Sequence, residues 1–182
     1  LNEVLRSSNH YAALSGGISL PLNFWTIKRG VTMVEAEKKN YEDYMKKEYR
    51  TDGDEWEMLQ DNSILTAVRN RCKGVVTRSE IQEKEPFITT VVHVVKIGNI
   101  AFASNRFELY MDYMHRIQAR SPFEQTFIVQ LVSDQYGTGS YLATARGTAN
   151  KGYSASPYCN QVSFEGGQQL VDETVSILKE LC

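Results

Sequence analysis

The run from Pro86 to Ile97 constrains this chain more than any other stretch. It is dense in β-branched residues (Ile88, Thr89, Thr90, Val91, Val92, Val94 and Val95), which are stiff in a helix and pack well on a pleated surface. Gly98-Asn99 then supplies a two-residue turn, and Ile100 to Ser104 runs back, which makes a β-hairpin. Arg106 to Ala119 follows with Leu109, Tyr113 and Ile117 on one helical face, Ser121-Pro122 stops it, and Thr126 to Val132 is a further strand. Strand, helix and strand in that order form a βαβ crossover, whose strands pair in parallel through a right-handed connection. A hairpin fused to a crossover predicts an α/β protein of some α+β character: a mixed sheet with a β-hairpin, one βαβ crossover and flanking helices.

The flanks supply the rest of the scaffold. Leu1 to Ala13 reads as a short helix closed by Ser15-Gly16-Gly17. Ile18 to Ile27 alternates apolar and polar residues as a half-buried strand does, and Pro21 assigns it to an edge. Thr32 and Glu35 form a capping box opening a charged helix to about Tyr49, with Val34, Tyr41, Tyr44 and Met45 as its apolar stripe. After Thr51-Asp-Gly-Asp54, a second helix of about twenty residues is expected to end near Lys73-Gly74. Gly147 to Gln161 reads as an irregular loop long enough to bind something, and Glu165 to Leu181 as a closing helix burying Val171, Val175, Leu178 and Leu181.

At 182 residues the chain fits one domain spanning 1–182. It opens on Leu1, within a helical pattern, and so reads as a piece of a longer polypeptide. A net charge of −2 gives no electrostatic reason to expect nucleic acid or an anionic membrane as partner. No apolar stretch approaches the ~20 residues that span a bilayer. Cys72, Cys159 and Cys182 lack the spacing of a metal knuckle or redox pair. His10, His93 and His115 have no neighbours at metal-ligand spacing, and nucleophile elbows, zincin motifs and phosphate loops are missing. The compartment stays open between secreted, periplasmic and cytoplasmic.

Candidate chemistry gathers past the strand ends, where α/β proteins bind ligands. Glu108 falls three residues beyond Asn105, in the expected first turn of a helix, whose dipole would keep the carboxylate ionised. It suits metal ligation, or it merely stabilises the helix end; spacing does not choose. Tyr141 follows Gly139-Ser140 and is either a site phenol or an aromatic on a short strand. Tyr153, after Gly152, is a weaker candidate. The crossover predicts that Glu108 and Tyr141 meet at one edge of the sheet.

Arg106-Phe-Glu108-Leu, Ser140-Tyr141-Leu-Ala-Thr144 and Gly152-Tyr153-Ser-Ala155, in this order and spacing, resemble the neutral/alkaline ceramidase family and its bacterial ceramidase-like relatives. The resemblance runs from about Phe87 to Leu181 and places the chain in the C-terminal part of a larger catalytic domain. It implies a zinc-dependent amidase that hydrolyses an N-acyl bond of a lipid or related small molecule. Glu108 and Tyr141 would be two of the zinc ligands, and Tyr153 a catalytic phenol that hydrogen-bonds the substrate amide oxygen. The two histidine ligands of the family lie upstream of anything here, so the rest of the parent chain is an expected partner and this segment alone is expected to be inactive. Phe107-Glu108-Leu109-Tyr110 also departs from the Gly-Glu-Phe-Thr-Thr of the ceramidases proper, which puts ceramide itself in question as substrate. A non-catalytic binding or structural domain on the same scaffold is the rival expectation.

Overall fold

The computed structural model describes residues 11–15, 24–28, 34–133, 137 and 139–182. The chain forms two compact units, one of Leu1–Gly30 with Phe87–Cys182 and one of Val31–Pro86. Among the described residues no helix is long and apolar enough to cross a membrane.

The Val31–Pro86 unit is a helical hairpin of α1 (Val34–Met45) and α2 (Glu55–Lys84). Asp54 caps α2, its carboxylate accepting the N–H groups of Trp56 and Glu57 at 3.0 and 3.2 Å. The connecting turn is fixed by Arg50, whose N–H and C=O bond the Asn62 carboxamide at 2.8 and 2.9 Å. The Arg50 guanidinium also reaches Asp61 and Glu57, at 2.9 and 3.1 Å. Helix α1 ends at Met45, short of the expected Tyr49, and Arg69 donates to the freed Tyr44 carbonyl at 3.0 Å. Helix α2 runs on past Gly74 to Lys84. A glycine costs a helix only about 1 kcal/mol relative to alanine, too little to stop a run without another breaker before Pro86. Thr32 of the expected capping box lies outside the described residues.

The other unit is an α/β fold with the mixed sheet and flanking helices expected. Strands β1 (Tyr11–Ser15), β4 (His93–Ile97), β5 (Ile100–Ser104) and β7 (Gln125–Val129) form one sheet in the order β1-β4-β5-β7. The first two pairings are antiparallel and β5 with β7 is parallel. The hairpin and crossover therefore stand where the sequence puts them. The β-branched run itself is divided: β3 (Phe87–Val91) pairs with β2 (Phe24–Lys28) as a separate antiparallel ribbon. Val92, 1% exposed, lies between the two strands. Tyr11–Ala13, expected as helix, lie in β1, because β4 offers a free edge that an isolated short helix lacks. Residues 1–10 and 18–23 of the expected first helix and strand lie outside the description.

The remaining elements are β6 (Glu108–Leu109), α3 (Met111–Arg120), β8 (Tyr141–Leu142), α4 (Ala145–Ala149), a 3-10 turn over Tyr153–Ala155, and α5 (Phe164–Leu181). Residues 147–149 of the expected loop thus belong to a helix, capped by the Thr144 hydroxyl on the Gly147 N–H at 3.1 Å. The core joins Val94, Ala101 and Ala103 of the sheet to Tyr113 and Ile117 of α3 and to Leu170, Val171, Val175 and Leu178 of α5. Phe107, Leu109 and Leu142 extend it beneath β6 and β8.

Among the described residues Tyr113 is the largest fully buried side chain, with its hydroxyl 2.9 Å from the Ala143 carbonyl and 3.2 Å from that of Phe164. Burial pushes its phenol up to about 12, against about 10 in an unfolded chain. Because the folded value is the higher one, the linked stability is complete below pH about 10 and drains away as pH rises toward about 12. Urea midpoints followed through that window should fall in the wild type and fall less in Tyr113→Phe. Parallel losses in the two proteins would show that Tyr113 is not the group responsible.

Candidate functional site

The site begins where β5 ends. Asn105, buried, turns the chain: its carboxamide oxygen accepts the Phe107 N–H at 2.9 Å, and its own N–H bonds the Val129 carbonyl at 2.9 Å. The Val132 N–H donates to the Asn105 carbonyl at 3.0 Å, the Leu131 N–H to the Phe107 carbonyl at 3.3 Å, and the Leu109 N–H to the Gln130 side-chain oxygen at 2.7 Å. The chain after β5 therefore stays stitched to the chain after β7. Phe107, with no exposed surface, anchors it to the core.

The opposite side of this segment carries a second, shorter sheet. Strands β6 and β8 pair in parallel, with the Glu108 N–H on the Ser140 carbonyl at 3.1 Å and the Tyr110 N–H on the Leu142 carbonyl at 3.2 Å. Gly139 opens that ladder, donating to the Arg106 carbonyl at 3.0 Å. A Cβ at Gly139 would collide with that same carbonyl, so only glycine allows the approach.

Register decides the rest. Glu108 is the direct partner of Tyr141 and Leu109 that of Leu142. Leu109 and Leu142 are buried while Glu108 and Tyr141 lie on the half-exposed side, so the carboxylate and phenol share one face. Hydrogen bonding with the Glu108 carboxylate, and that carboxylate's negative charge, push the Tyr141 phenol above its ordinary value. The Tyr153 ring stands edge-on to Tyr141, centroids 6.3 Å apart and planes at 80°. Glu108, Tyr141 and Tyr153 thus form one cluster.

The expected meeting of Glu108 and Tyr141 occurs, but on different elements from those expected. Glu108 is not in the first turn of a helix: α3 starts at Met111, after Tyr110 as its N-cap. The reason is competition for the backbone, since residues 106–110 find ladder partners at Gly139, Ser140 and Leu142 that an isolated helix end cannot match. The contact also lies beyond the main sheet, in the β6–β8 pair.

As zinc ligands the donors fit in kind, since carboxylate and phenol oxygens are both hard donors held at one point. In number they fall short. Among the described residues no group of three or more His, Cys, Asp and Glu is placed to hold a metal. His93 is half-buried on β4, His115 is exposed on α3, and His10 lies outside the description. Sequence reasoning passed over Asn105, Gln130 and Asn160, polar residues that shape the cluster through the backbone; only their position at strand and loop ends hinted at it.

An α/β protein with a carboxylate–phenol cluster beside its sheet is what fold and site define. No protein-family profile matches the sequence, and no curated protein matches it. Two solved structures align with 52% of the chain. One is a ceramidase complexed with C2, with a TM-score of 0.41 and 15% identity. The other is a neutral ceramidase from Pseudomonas aeruginosa, with a TM-score of 0.38 and 16% identity. The chain covers 15% and 16% of the lengths of those two proteins.

Proposed function

We propose that this chain supplies the glutamate–tyrosine part of a ceramidase-like, zinc-dependent amidase site that hydrolyses an N-acyl bond in a lipid or a related small molecule. The supporting observation is the in-register pairing of Glu108 with Tyr141 on one face of the ladder, with Tyr153 against Tyr141. Glu108 would bring the negative charge that a cation needs, and Tyr141 a second oxygen on the same face. Zinc, when bound, supplies Lewis acidity toward the amide carbonyl and toward water. Tyr153, 70% exposed at the mouth of the cluster, offers its O–H to the amide oxygen and steadies the charge that grows there as the carbonyl is attacked.

Catalytic zinc sites take three protein ligands plus an open position. Two oxygens fall short of that number, and on this reading a histidine pair in the rest of a longer protein would complete the site. After dialysis this chain alone should retain far less than one zinc and show no amidase activity. The same segment in a protein that adds a histidine pair should hold zinc and cleave N-acyl substrates. One tightly held zinc on the isolated chain would mean that a histidine within it completes the site. Neither metal nor hydrolysis in the longer protein would leave the cluster a binding or structural feature.

A further inference from the structure

Tyr153 presents a difficulty that its neighbours do not. Tyr153 is 70% exposed, so its own burial contributes little to its place beside Tyr141. The backbone turn that carries it, Gly152–Ser156, contributes to that placement. That turn is closed by its own bonds, Ala155 N–H to the Gly152 carbonyl at 3.0 Å and Ser156 N–H to that of Tyr153 at 3.1 Å. These shape the turn, and the buried Ala155 and the Asn160 N–H on the Ser156 carbonyl, at 3.1 Å, help to seat it.

One side chain spans the turn and the strand beside it. The Asn160 carboxamide nitrogen donates both its protons to the turn, one to the Ser156 carbonyl at 3.1 Å and one to the Ser154 carbonyl. Its oxygen accepts the Ala143 N–H at 2.8 Å, just past β8. The Asn160 backbone is bridged in parallel to Tyr141, and the next N–H, of Gln161, donates to the Ser140 hydroxyl at 3.1 Å. One planar group thus grips the Tyr153 turn with its donors and the Tyr141 strand with its acceptor. No other side chain of this size carries two donors and an acceptor in that geometry except glutamine, which is one methylene too long. A second tie, Tyr110 hydroxyl to Ser154 hydroxyl at 2.7 Å, joins two rotatable groups and touches no backbone atom of the turn.

We propose that Asn160 is the positioning residue of this site, its carboxamide clamping the Tyr153 turn to strand β8 and so setting the Tyr153 phenol beside Tyr141. The part Tyr153 plays toward substrate rests on the function proposed above; the clamp does not. Asn160→Asp keeps the shape and the acceptor for Ala143 but donates nothing to the turn. In tyrosine-labelled protein, the nuclear Overhauser contact between the Tyr141 and Tyr153 rings should disappear in Asn160→Asp while Tyr113 keeps its core signals. Tyr110→Phe should retain the ring contact. Persistence of the contact in Asn160→Asp overturns the inference, as does its loss in Tyr110→Phe alone. Should Asn160→Asp not fold, the wild-type chain decides: both Asn160 carboxamide protons should exchange slowly with solvent, and rapid exchange overturns the clamp. Each of these readings stands whether or not the longer protein proves to be an amidase. If Glu108→Gln there abolishes hydrolysis while Asn160→Asp keeps the ring contact, the clamp falls and the amidase reading survives.

Discussion

Glu108→Gln, made in a protein that carries this segment together with its histidine donors, should remove zinc and abolish N-acyl hydrolysis without unfolding the chain. The substitution keeps the shape and leaves an oxygen able to accept the Tyr141 hydroxyl. It deletes only the charge. Residues that merely orient a metal ligand cost ~10–100-fold in affinity or activity when changed, so loss of a ligand's charge should cost more than about 100-fold. The stability change should stay within the ~0.5–1.5 kcal/mol worth of one hydrogen bond, because Glu108 is half-exposed and the β6–β8 ladder runs through its backbone. Tyr153→Phe is the companion variant: zinc should stay, and turnover should fall by roughly 10²–10³, the usual cost of one lost donor to a developing oxyanion. Zinc content, melting temperature and amidase rate separate the cases. Full zinc and full activity in Glu108→Gln would sink the ligand assignment.

Phe107→Ala should be the most destabilising single truncation near the site, at about 3–5 kcal/mol. Phe107 has no exposed surface, packs in the core, and sits directly before Glu108. Its carbonyl and N–H are committed to Leu131 and to the Asn105 side chain, so the backbone cannot slide to fill the void. The loss is a large share of the ~5–15 kcal/mol that holds a domain together. Urea denaturation measures it, and a loss below about 1 kcal/mol would mean that the segment repacks. Because Phe107 pins the strand that carries Glu108, the variant should also lose the ring contact between Tyr141 and Tyr153 before it melts.

Local sequence was sufficient for elements stabilised by their own composition. The hairpin over β4 and β5 follows from β-branched residues around Gly98-Asn99, and Gly98 indeed adopts φ 59° at the turn. The amphipathic helix α5 was legible from Val171, Val175 and Leu178, all buried. Tyr11–Ala13 misled because their apolar spacing suits a helix equally well, and only the edge of β4 selects a strand. Glu108–Leu109 is too short for any periodicity to register. Its conformation is chosen by Ser140 and Leu142, some thirty residues further on.

The site divides along the same line. Residue chemistry was written in the sequence: a carboxylate beyond a strand end, and two phenols beside glycines. Their convergence was implied by the crossover, since β5 and β7 run parallel and end together. The register that faces Glu108 toward Tyr141 was not, because in a two-residue ladder a slip by one position exchanges the exposed and buried faces. Leu109 and Leu142 set that register by needing the core, and Gly139 permits it by lacking a Cβ. Sequence by itself determined which groups were available and roughly which edge they would reach. Only the tertiary structure decided that they touch, because hydrogen bonds and burial between distant segments, rather than local preference, choose between a helix turn and a strand for residues 106–110.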